Sequence, residues 1–311
     1  MHRHEILAVA LYAAVLVALL LAVLVLVEGS LVRVANIIKD NLAVIALSSL
    51  LIAGEEALKS TRFVVLSRAS GKRLTIRSAL EIHFSSLAIG ALTPAFSGSV
   101  PTATAMIGDR LEIDVGEALS LALGVSFFDS AIPALAVVAI SWMHLPESAL
   151  ALLISVAVLL AWAVAFNKRA LGAMTSLLRF LARGGLVKAV EEEANRFREA
   201  FLKLTYNRRA LAAVALISVA SYIVESISVL ILVPGRSIGL LRAFEALMLS
   251  YVGGNLPTPG GEGGVEYGLS ILVPRATVVM WRGGPILGSP GPPGALYNRF
   301  PRHTRVRPFF F

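Results

Sequence analysis

Long apolar runs separated by short polar connectors dominate this chain, and they predict helices that cross a membrane. Ile6 to Val27 is 22 residues without a charge, and Ala149 to Phe166 is 18. About 20 apolar helical residues cross a hydrocarbon core of about 30 Å. Ala118 to Trp142 and Ala210 to Val233 are equally long and contain one acid each, while Leu42 to Thr61 has charges in its last two turns. We expect five spans.

The first run has an alternative interpretation as a cleaved signal peptide. Such peptides have an apolar core of about 7 to 15 residues followed by a small-x-small cleavage site. The run from 6 to 27 is longer, and no clear site of that kind follows it. We therefore favour a span that is retained.

Two further apolar stretches are broken by proline and glycine at matching places. Ile82 to Ile107 is broken around 93–98, and Ala246 to Val273 around 257–264. Ile82 to Leu92, before the first break, reaches only about half of the hydrocarbon core at about 1.5 Å per residue. Backbone groups freed by a break cannot face lipid, so they line protein or a cavity. Both stretches are predicted to be re-entrant helical hairpins.

Charge placement orients these elements. The stretch 59–77 has six basic residues and no acid, and the connector 167–209 has ten basic and four acidic residues. The positive-inside rule places both in the cytoplasm, so the first hairpin begins and ends there and the second belongs to the outer face. This is the inverted-repeat arrangement of secondary transporters. The alternative is a chance likeness between two interrupted helices.

The predicted fold class is therefore all-α: a polytopic integral membrane protein of the cell membrane, with an inverted-repeat helix bundle and two re-entrant hairpins. A single multi-pass transmembrane domain is expected over 1–274. Its connector 167–209 has two amphipathic stripes, which suit helices lying on the membrane surface or, alternatively, docking a partner.

Residues 275–311 form an atypical tail rich in proline, glycine and arginine, without Asp, Glu or Lys. The repeat calls for a closing helix here, but the run 288–294 cannot form a membrane helix. One hypothesis is a shifted reading frame or truncation that replaces that helix. The other is a genuine disordered basic tail that contacts anionic lipid. We favour the first, because the composition changes abruptly.

Composition narrows the chemistry. The chain is 57% hydrophobic and 15% charged, and its net charge of +8 is explained by the connectors without nucleic acid. No cysteine is present, so disulfides and thiolate metal sites are excluded. The five histidines have no ligand spacing, and His83 is expected at a surface or interface. We expect no metal, no cofactor and no catalytic residue.

Ionisable residues within the apolar segments cost about 2.5 to 3.5 kcal/mol each and should face the bundle interior. They are Asp129, Glu225, Glu262 and Glu266. Each either binds a lipid amine, carries a coupling proton or makes a structural ion pair. Glu55 is expected to pair locally with Lys59 four residues on. Arg62 is expected to anchor the membrane interface, with phosphate binding as the alternative.

The half-helices after the two breaks are expected to begin near mid-membrane, at Ser99 and at Gly264–Val265. Free N–H groups and the positive end of the helix dipole would there attract an anion such as a phosphodiester headgroup. The glycines of the second break permit close backbone approach. Alternatively they only form a tight turn.

Two motifs support a resemblance. Pro257-Thr-Pro-Gly-Gly-Glu-Gly-Gly-Val-Glu266, after Gly253-Gly254-Asn255, and the weaker Leu92-Thr-Pro94 with Gly98 resemble elements of the membrane domain of lysylphosphatidylglycerol synthase and of flippase-like proteins. The resemblance covers about residues 6–273. It implies handling of polar lipids, either aminoacylated phospholipid or polyprenyl-linked precursors, and Asp129 falls where the family tends to place an acid.

This chain departs from the family pattern in two ways. Phe96 and Val100 stand where the family often has Arg and Glu, which puts charge-based headgroup recognition at the first break in doubt. Too few residues follow the second hairpin for a soluble synthase domain, so lipid aminoacylation by this chain alone is not expected.

The predicted function is that of a lipid flippase or transporter that binds a phosphate-bearing lipid between the two hairpins. The candidate substrate-binding residues are Thr93, Pro94, Gly98, Ser99, Asp129, Glu225, Asn255, Pro259, Gly260, Gly261, Glu262, Gly263, Gly264 and Glu266. The alternatives are an intramembrane enzyme that modifies a lipid-linked group, and a scaffold for a membrane glycosyltransferase. The expected partners are the membrane, its lipid, and a glycosyltransferase or a second copy of the chain.

Overall fold

A computed structural model describes residues 29–140, 148–166, 186–233, 237–258 and 260–288. All regular secondary structure in these ranges is helical. The helices are α1 (Leu31–Asp40), α2 (Leu42–Ala69), α3 (Ile76–Ala91), α4 (Ser99–Leu111), α5 (Val115–Ile140), α6 (Ala149–Phe166), α7 (Leu186–Tyr206), α8 (Arg208–Ile231), α9 (Leu240–Gly253), α10 (Gly264–Ser270) and α11 (Arg275–Gly288). The predicted span 6–27 lies outside the described residues, as do the first stripe of the connector and the end of the tail.

Two helices of the described ranges, α5 and α8, are long and apolar enough to cross a membrane. Helices α1 and α2 supply a third span if they are counted together, although the chain bends by 79° between them. Asn41 stands at this bend, and its side-chain amide donates to the Ile37 carbonyl at 2.8 Å. Helix α6 is apolar along its 18 residues.

Polarity is distributed as in a protein embedded in lipid. Large apolar side chains point outward: Leu50, Leu153 and Leu216 are 70%, 68% and 71% exposed. Small hydroxyl side chains such as Ser60 and Ser218 are instead fully buried between helices. Lipid solvates leucine well, and small polar residues favour close helix contacts, so this arrangement is stable in a bilayer and costly in water.

Helices α2 and α8 form the central antiparallel pair. Near one end Ser48 donates to the Ser228 carbonyl at 3.2 Å, and near the other Arg62 donates to Ser218 at 3.1 Å. Both broken stretches pack on this pair and on α5. Helix α3 contacts α2 and α4 contacts α5, while α9 contacts α8 and α5 and α10 packs against α9. The central pair therefore connects both broken stretches.

Both breaks lie where the sequence places them, but the flanking helices differ in length from the expectation. Helix α3 begins at Ile76 and α4 continues to Leu111, so the first pair extends beyond 82–107 at both ends. The second pair is asymmetric because α10 has only seven residues.

Glycine lets α9 and α10 pack backbone against backbone. A Cβ atom at Gly253 would lie 2.1 Å from the Gly264 carbonyl oxygen, and one at Gly268 would lie 2.4 Å from the Leu249 carbonyl oxygen. Any side chain at these positions would push the two helices apart. The glycines therefore act as contact residues and not only as turn formers.

Connector helix α7 packs against α5. Phe201 and Leu204 are buried in this contact. The Gly116 N–H at the start of α5 donates to the Glu193 carboxylate at 2.7 Å. The second half of the connector is thus attached to the helical body.

Helix α11 lies in the segment that the sequence analysis set apart as an atypical tail. Val278, Val279 and Met280 are buried, and the helix packs against α1 and α2. The composition change at residue 274 therefore does not coincide with a structural boundary, since the helical body continues to residue 288.

We predict that Gly268→Ala lowers the free energy of unfolding by about 1 to 3 kcal/mol, because the new methyl group meets backbone and not a flexible side chain. Gly54→Ala in α2 is the matched control, since a Cβ there has no atom within 4 Å. It should be neutral or stabilising by up to about 1 kcal/mol through helix propensity. Thermal melts of both variants in detergent test this, and equal melting temperatures would contradict the packing.

Candidate functional site: a buried ion network and two facing loops

One face of α2 contains a row of charged residues. Glu55 and Glu56 precede Lys59 by four and three positions, and Arg62 follows Lys59 by three, so these residues project from one side of the helix. Glu55, Lys59 and Arg62 are at most 4% exposed. This face is directed into the bundle, where other helices provide its partners.

Lys59 is the centre of the network. Its Nζ atom lies 2.6 Å from Glu55 Oε1 and 3.6 Å from Glu225 Oε2 on α8. It also donates to the Tyr251 hydroxyl on α9 at 2.7 Å, and that hydroxyl donates to Glu225 at 2.7 Å. One ammonium thus joins three helices. The expected Glu55–Lys59 pair is present, but it is one contact of a larger set.

Arg62 makes a two-pronged ion pair with Asp129 of α5. Its Nη1 lies 2.5 Å from Oδ1 and its Nη2 lies 3.3 Å from Oδ2. Arg62 Nε donates to the Lys59 carbonyl at 2.9 Å, and Nη1 also donates to Ser218. The expectation that Arg62 anchors the membrane interface is wrong, because Asp129 and Ser218 satisfy its charge inside the bundle.

The two members of this pair differ in accessibility. The Arg62 side chain is completely buried, whereas the Asp129 side chain is 39% exposed. The Arg62 guanidinium is therefore held in the buried interior, and the Asp129 carboxylate covers it on the more accessible side.

A proline in α5 explains one more contact of Asp129. Pro133 has no N–H, so the carbonyl four residues earlier, that of Asp129, loses its helical hydrogen bond. The Tyr222 hydroxyl of α8 donates to this carbonyl at 3.2 Å. Tyr222 also packs edge-on against Tyr251 at 5.1 Å between ring centres, which joins the Asp129 and Glu225 groups into one network.

His83 of α3 closes the network at another side. Its Nε2 lies 2.6 Å from Glu56 Oε2, and the residue is 6% exposed. The expectation that His83 lies at a surface or interface is wrong, since α3 packs against the charged face of α2 and its histidine meets a carboxylate there.

The two loops at the breaks touch each other. The Ala95 N–H donates to the Thr258 carbonyl at 3.1 Å, and the Gly260 N–H donates to the Thr93 carbonyl at 3.3 Å. Ala95 and Phe96 have positive φ, at 50° and 56°, which is strained for non-glycine residues. Two loops that are far apart in sequence thus form a short backbone ladder.

Local hydrogen bonds fix the shape of each loop. The Thr93 hydroxyl accepts from the Gly98 N–H at 2.8 Å, and the Thr258 hydroxyl donates to the Glu262 carbonyl at 2.8 Å. Gly260, Gly261 and Gly263 have φ of 58°, 67° and 85°, which glycine adopts without strain.

The expected free N–H groups at the half-helix starts are not present. The Ser99 N–H donates to the Phe96 carbonyl at 3.0 Å, and the N–H groups of Gly264 and Val265 both donate to the Gly261 carbonyl, at 3.1 and 3.2 Å. The expectation of free amides at these three residues is therefore wrong, because the tight loops satisfy the donors internally, while the anion site stays a prediction.

A second, smaller ion group holds the second loop. Arg282 of α11 pairs with Glu266 of α10 and lies 3.3 Å from the Glu262 carboxylate. Glu266 also accepts from the Gly263 N–H at 2.6 Å. Glu266 thus fixes the turn that leads into α10, and its partner comes from the segment that the sequence analysis set aside as a tail.

The structure divides the predicted site residues into three groups. Asp129 and Glu225 lie in the ion network. Glu262 and Glu266 share Arg282, and the remaining residues form the loops, namely Thr93, Pro94, Gly98, Ser99, Asn255, Gly260, Gly261, Gly263 and Gly264. Pro259 lies outside the described residues.

Sequence reasoning missed Lys59, Arg62, Tyr222, Tyr251 and Arg282 as members of these groups. The available signal was the regular spacing of charges along one face of α2. Ionisable residues that face solvent rarely continue along one helical face into an apolar run. No comparable pattern marked the two tyrosines.

The apolar exterior, the spanning helices and the buried ion network define an α-helical membrane protein. The family model described as "Lysylphosphatidylglycerol synthase TM region" matches residues 6–278, and the chain belongs to this family. It is therefore a membrane protein related to lipid biology. The search of curated proteins gave no match, and neither did the search of solved structures.

We predict that Tyr222→Phe lowers stability by about 1 kcal/mol, because the freed Asp129 carbonyl loses its donor. In a Pro133→Ala background the cost should be clearly smaller, since residue 133 then supplies the missing N–H. A double-mutant cycle by thermal unfolding measures the coupling. Equal costs in both backgrounds would show that Pro133 is not the reason for the contact.

We predict that Glu266→Gln destabilises the protein by about 2 kcal/mol, because it removes a charge that holds both Arg282 and the Gly263 N–H. Glu262→Gln is the matched control and should cost less, because its contact with Arg282 is longer and it caps no N–H in the described structure. The comparison uses thermal melts in one detergent. A larger loss for Glu262→Gln would contradict this assignment.

Proposed function

We propose that this protein binds a lipid with a phosphate-bearing headgroup and moves that headgroup across the membrane. The observation that carries the proposal is the Arg62–Asp129 pair, a buried guanidinium covered by a partly exposed carboxylate. Membership of a family related to lipid biology supports the lipid as the ligand class.

The geometry of the pair suits exchange with a phosphate. A guanidinium presents parallel N–H donors that fit either a carboxylate or a phosphate in the same two-pronged manner. Arg62 keeps its bonds to the Lys59 carbonyl and Ser218 when Asp129 moves away. Asp129 is the more exposed partner, so a headgroup phosphate can replace it without dismantling the site.

The contact between the loops supports a path for the headgroup. The backbone ladder of Ala95 and Thr258, and of Thr93 and Gly260, joins the two broken stretches. Tyr251 of the ion network lies one turn before the second loop, and the Asn255 side chain donates to its carbonyl at 3.2 Å. A shift of the second loop is therefore transmitted to α9 and to the ion network.

We also propose the membrane topology and the substrate class that were inferred from the sequence. The protein is a multi-pass protein of the cell membrane, and its two broken stretches are re-entrant hairpins from opposite faces. Its substrate is a phospholipid or a polyprenyl-linked precursor. The loop residues, including Thr93 and Gly260, shape the passage, while Arg62 contacts the phosphate in place of Asp129.

We predict that Arg62→Gln lowers the rate of lipid movement about tenfold or more, because one charge-assisted contact contributes about 1.5 to 3 kcal/mol. The matched control is Arg68→Gln, six residues further along the same helix and exposed. Fluorescent phosphatidylglycerol and polyprenyl phosphate in reconstituted vesicles, with a membrane-impermeant quencher, provide the measurement.

A second variant, Arg62→Lys, distinguishes a loss of binding from a loss of folding. Arg62→Lys keeps a charge in the bundle but loses the two-pronged geometry, so it should fold and still move lipid slowly. Wild-type rates in both Arg62 variants would remove this residue from the site. Equal movement of a phosphate-free glycolipid would remove phosphate recognition, and chemically altered lipid in the vesicles would favour an enzyme.

A further inference from the structure

The ion network contains more acid than base. Glu55, Glu56 and Glu225 lie 2.6, 3.5 and 3.6 Å from the one Lys59 ammonium. Asp129 and Arg62 neutralise each other. If every carboxyl were ionised, the network would carry two excess negative charges, or one if His83 beside Glu56 were protonated.

Glu55 is the least satisfied member of the network. Its side chain is 0% exposed, and its Oε1 lies within ion-pair distance of Lys59. Lys59 is its one close partner among the described residues, and its second carboxyl oxygen, Oε2, accepts no hydrogen bond there. An ionised carboxylate buried in this way is very costly, whereas a neutral carboxyl group at the same place costs far less.

The surroundings supply no further cation among the described contacts. The ionisable groups that face Glu55 and Glu225 are Glu56 and Lys59 of α2, Tyr222 of α8 and Tyr251 of α9. Beyond them, His83 of α3 pairs with Glu56, and Arg62 of α2 pairs with Asp129 of α5. Helix α11 also packs on α2, but its Arg282 is bound to Glu262 and Glu266.

We propose that Glu55 and Glu225 together bind one exchangeable proton, and that its release and uptake are coupled to lipid movement. Both carboxyls contact the same Lys59 ammonium, so a proton on either one leaves the other to pair with Lys59. Only the coupling to lipid movement rests on the proposed function, because the proton site does not require that lipid moves.

The position of the pair explains how coupling arises. Glu55 is on α2, Glu225 is on α8, and Tyr251 on α9 donates to Glu225. Helix α9 leads directly into the second loop. A movement of that loop would shift Tyr251 relative to Glu225 and Lys59, which links the carboxyl pair to the loops.

Infrared difference spectroscopy of the detergent-solubilised protein over a pH series tests the proton site. The wild type should show one protonated-carboxyl band that disappears as pH rises. Glu55→Gln and Glu225→Gln should each abolish it, because the remaining acid then forms a simple pair with Lys59. Glu199→Gln, at an exposed position of α7, is the control and should leave the band unchanged.

The absence of such a band, or its persistence in both variants, would overturn the proton site. Stabilisation by sodium ions at fixed pH, lost in the same two variants, would also overturn it in favour of a bound metal cation. Neither measurement depends on transport, so a failure of the proposed function is seen separately.

Reconstituted vesicles with an imposed pH gradient test the coupling. The wild-type rate with fluorescent phosphatidylglycerol or polyprenyl phosphate should change several-fold when the gradient is reversed, and Glu55→Gln should move lipid at one rate in both directions. Wild-type rates that ignore the gradient would overturn the coupling.

Discussion

Pairing of charge inside a lipid-embedded bundle is the constraint on which the rest of this structure depends. An isolated ion there costs several kcal/mol, so the charged residues on the inner face of α2 need partners within the bundle. Lys59 is met by Glu225 and Tyr251, and Arg62 by Asp129. These contacts fix the position of α2 relative to α5, α8 and α9 in a way that apolar packing between lipid-soluble surfaces cannot.

Where no ion pair joins the helices, close contacts at glycine and backbone hydrogen bonds between the loops hold the structure together. The α9–α10 contact is set by carbonyl groups that lie where a Cβ would be, at Gly253 and Gly268. The loop contact is set by two backbone hydrogen bonds. Both contacts act over a short distance and involve polar backbone groups. The second loop is further held by Arg282, so α11 takes part in the fold even though its composition is unusual for a membrane helix.

Fold class and family could be predicted from the sequence, because run length and the glycine-rich motif around Pro257 are local signals. The ion network could not, because its pairs join residues as distant as Lys59 and Tyr251, and spacing within one helix does not say what lies opposite. The hydrogen bonds within the loops could not be predicted either. Free amides at Ser99 and Gly264 follow from a helix start alone, whereas a tight turn supplies carbonyls that no helix rule anticipates.

Two cations one turn apart on α2 are placed for different tasks. Arg62 stays charged at any working pH and has one accessible partner, so it is suited to trade a carboxylate for a phosphate. Lys59 is enclosed by three carboxyls and a tyrosine, which suits the proton binding that we propose for Glu55 and Glu225. Because Arg62 Nε donates to the Lys59 carbonyl, the two sites share one rigid turn of helix. We infer that a change at one site is felt at the other through this turn and through Tyr222, whose hydroxyl contacts Asp129 and whose ring faces Lys59.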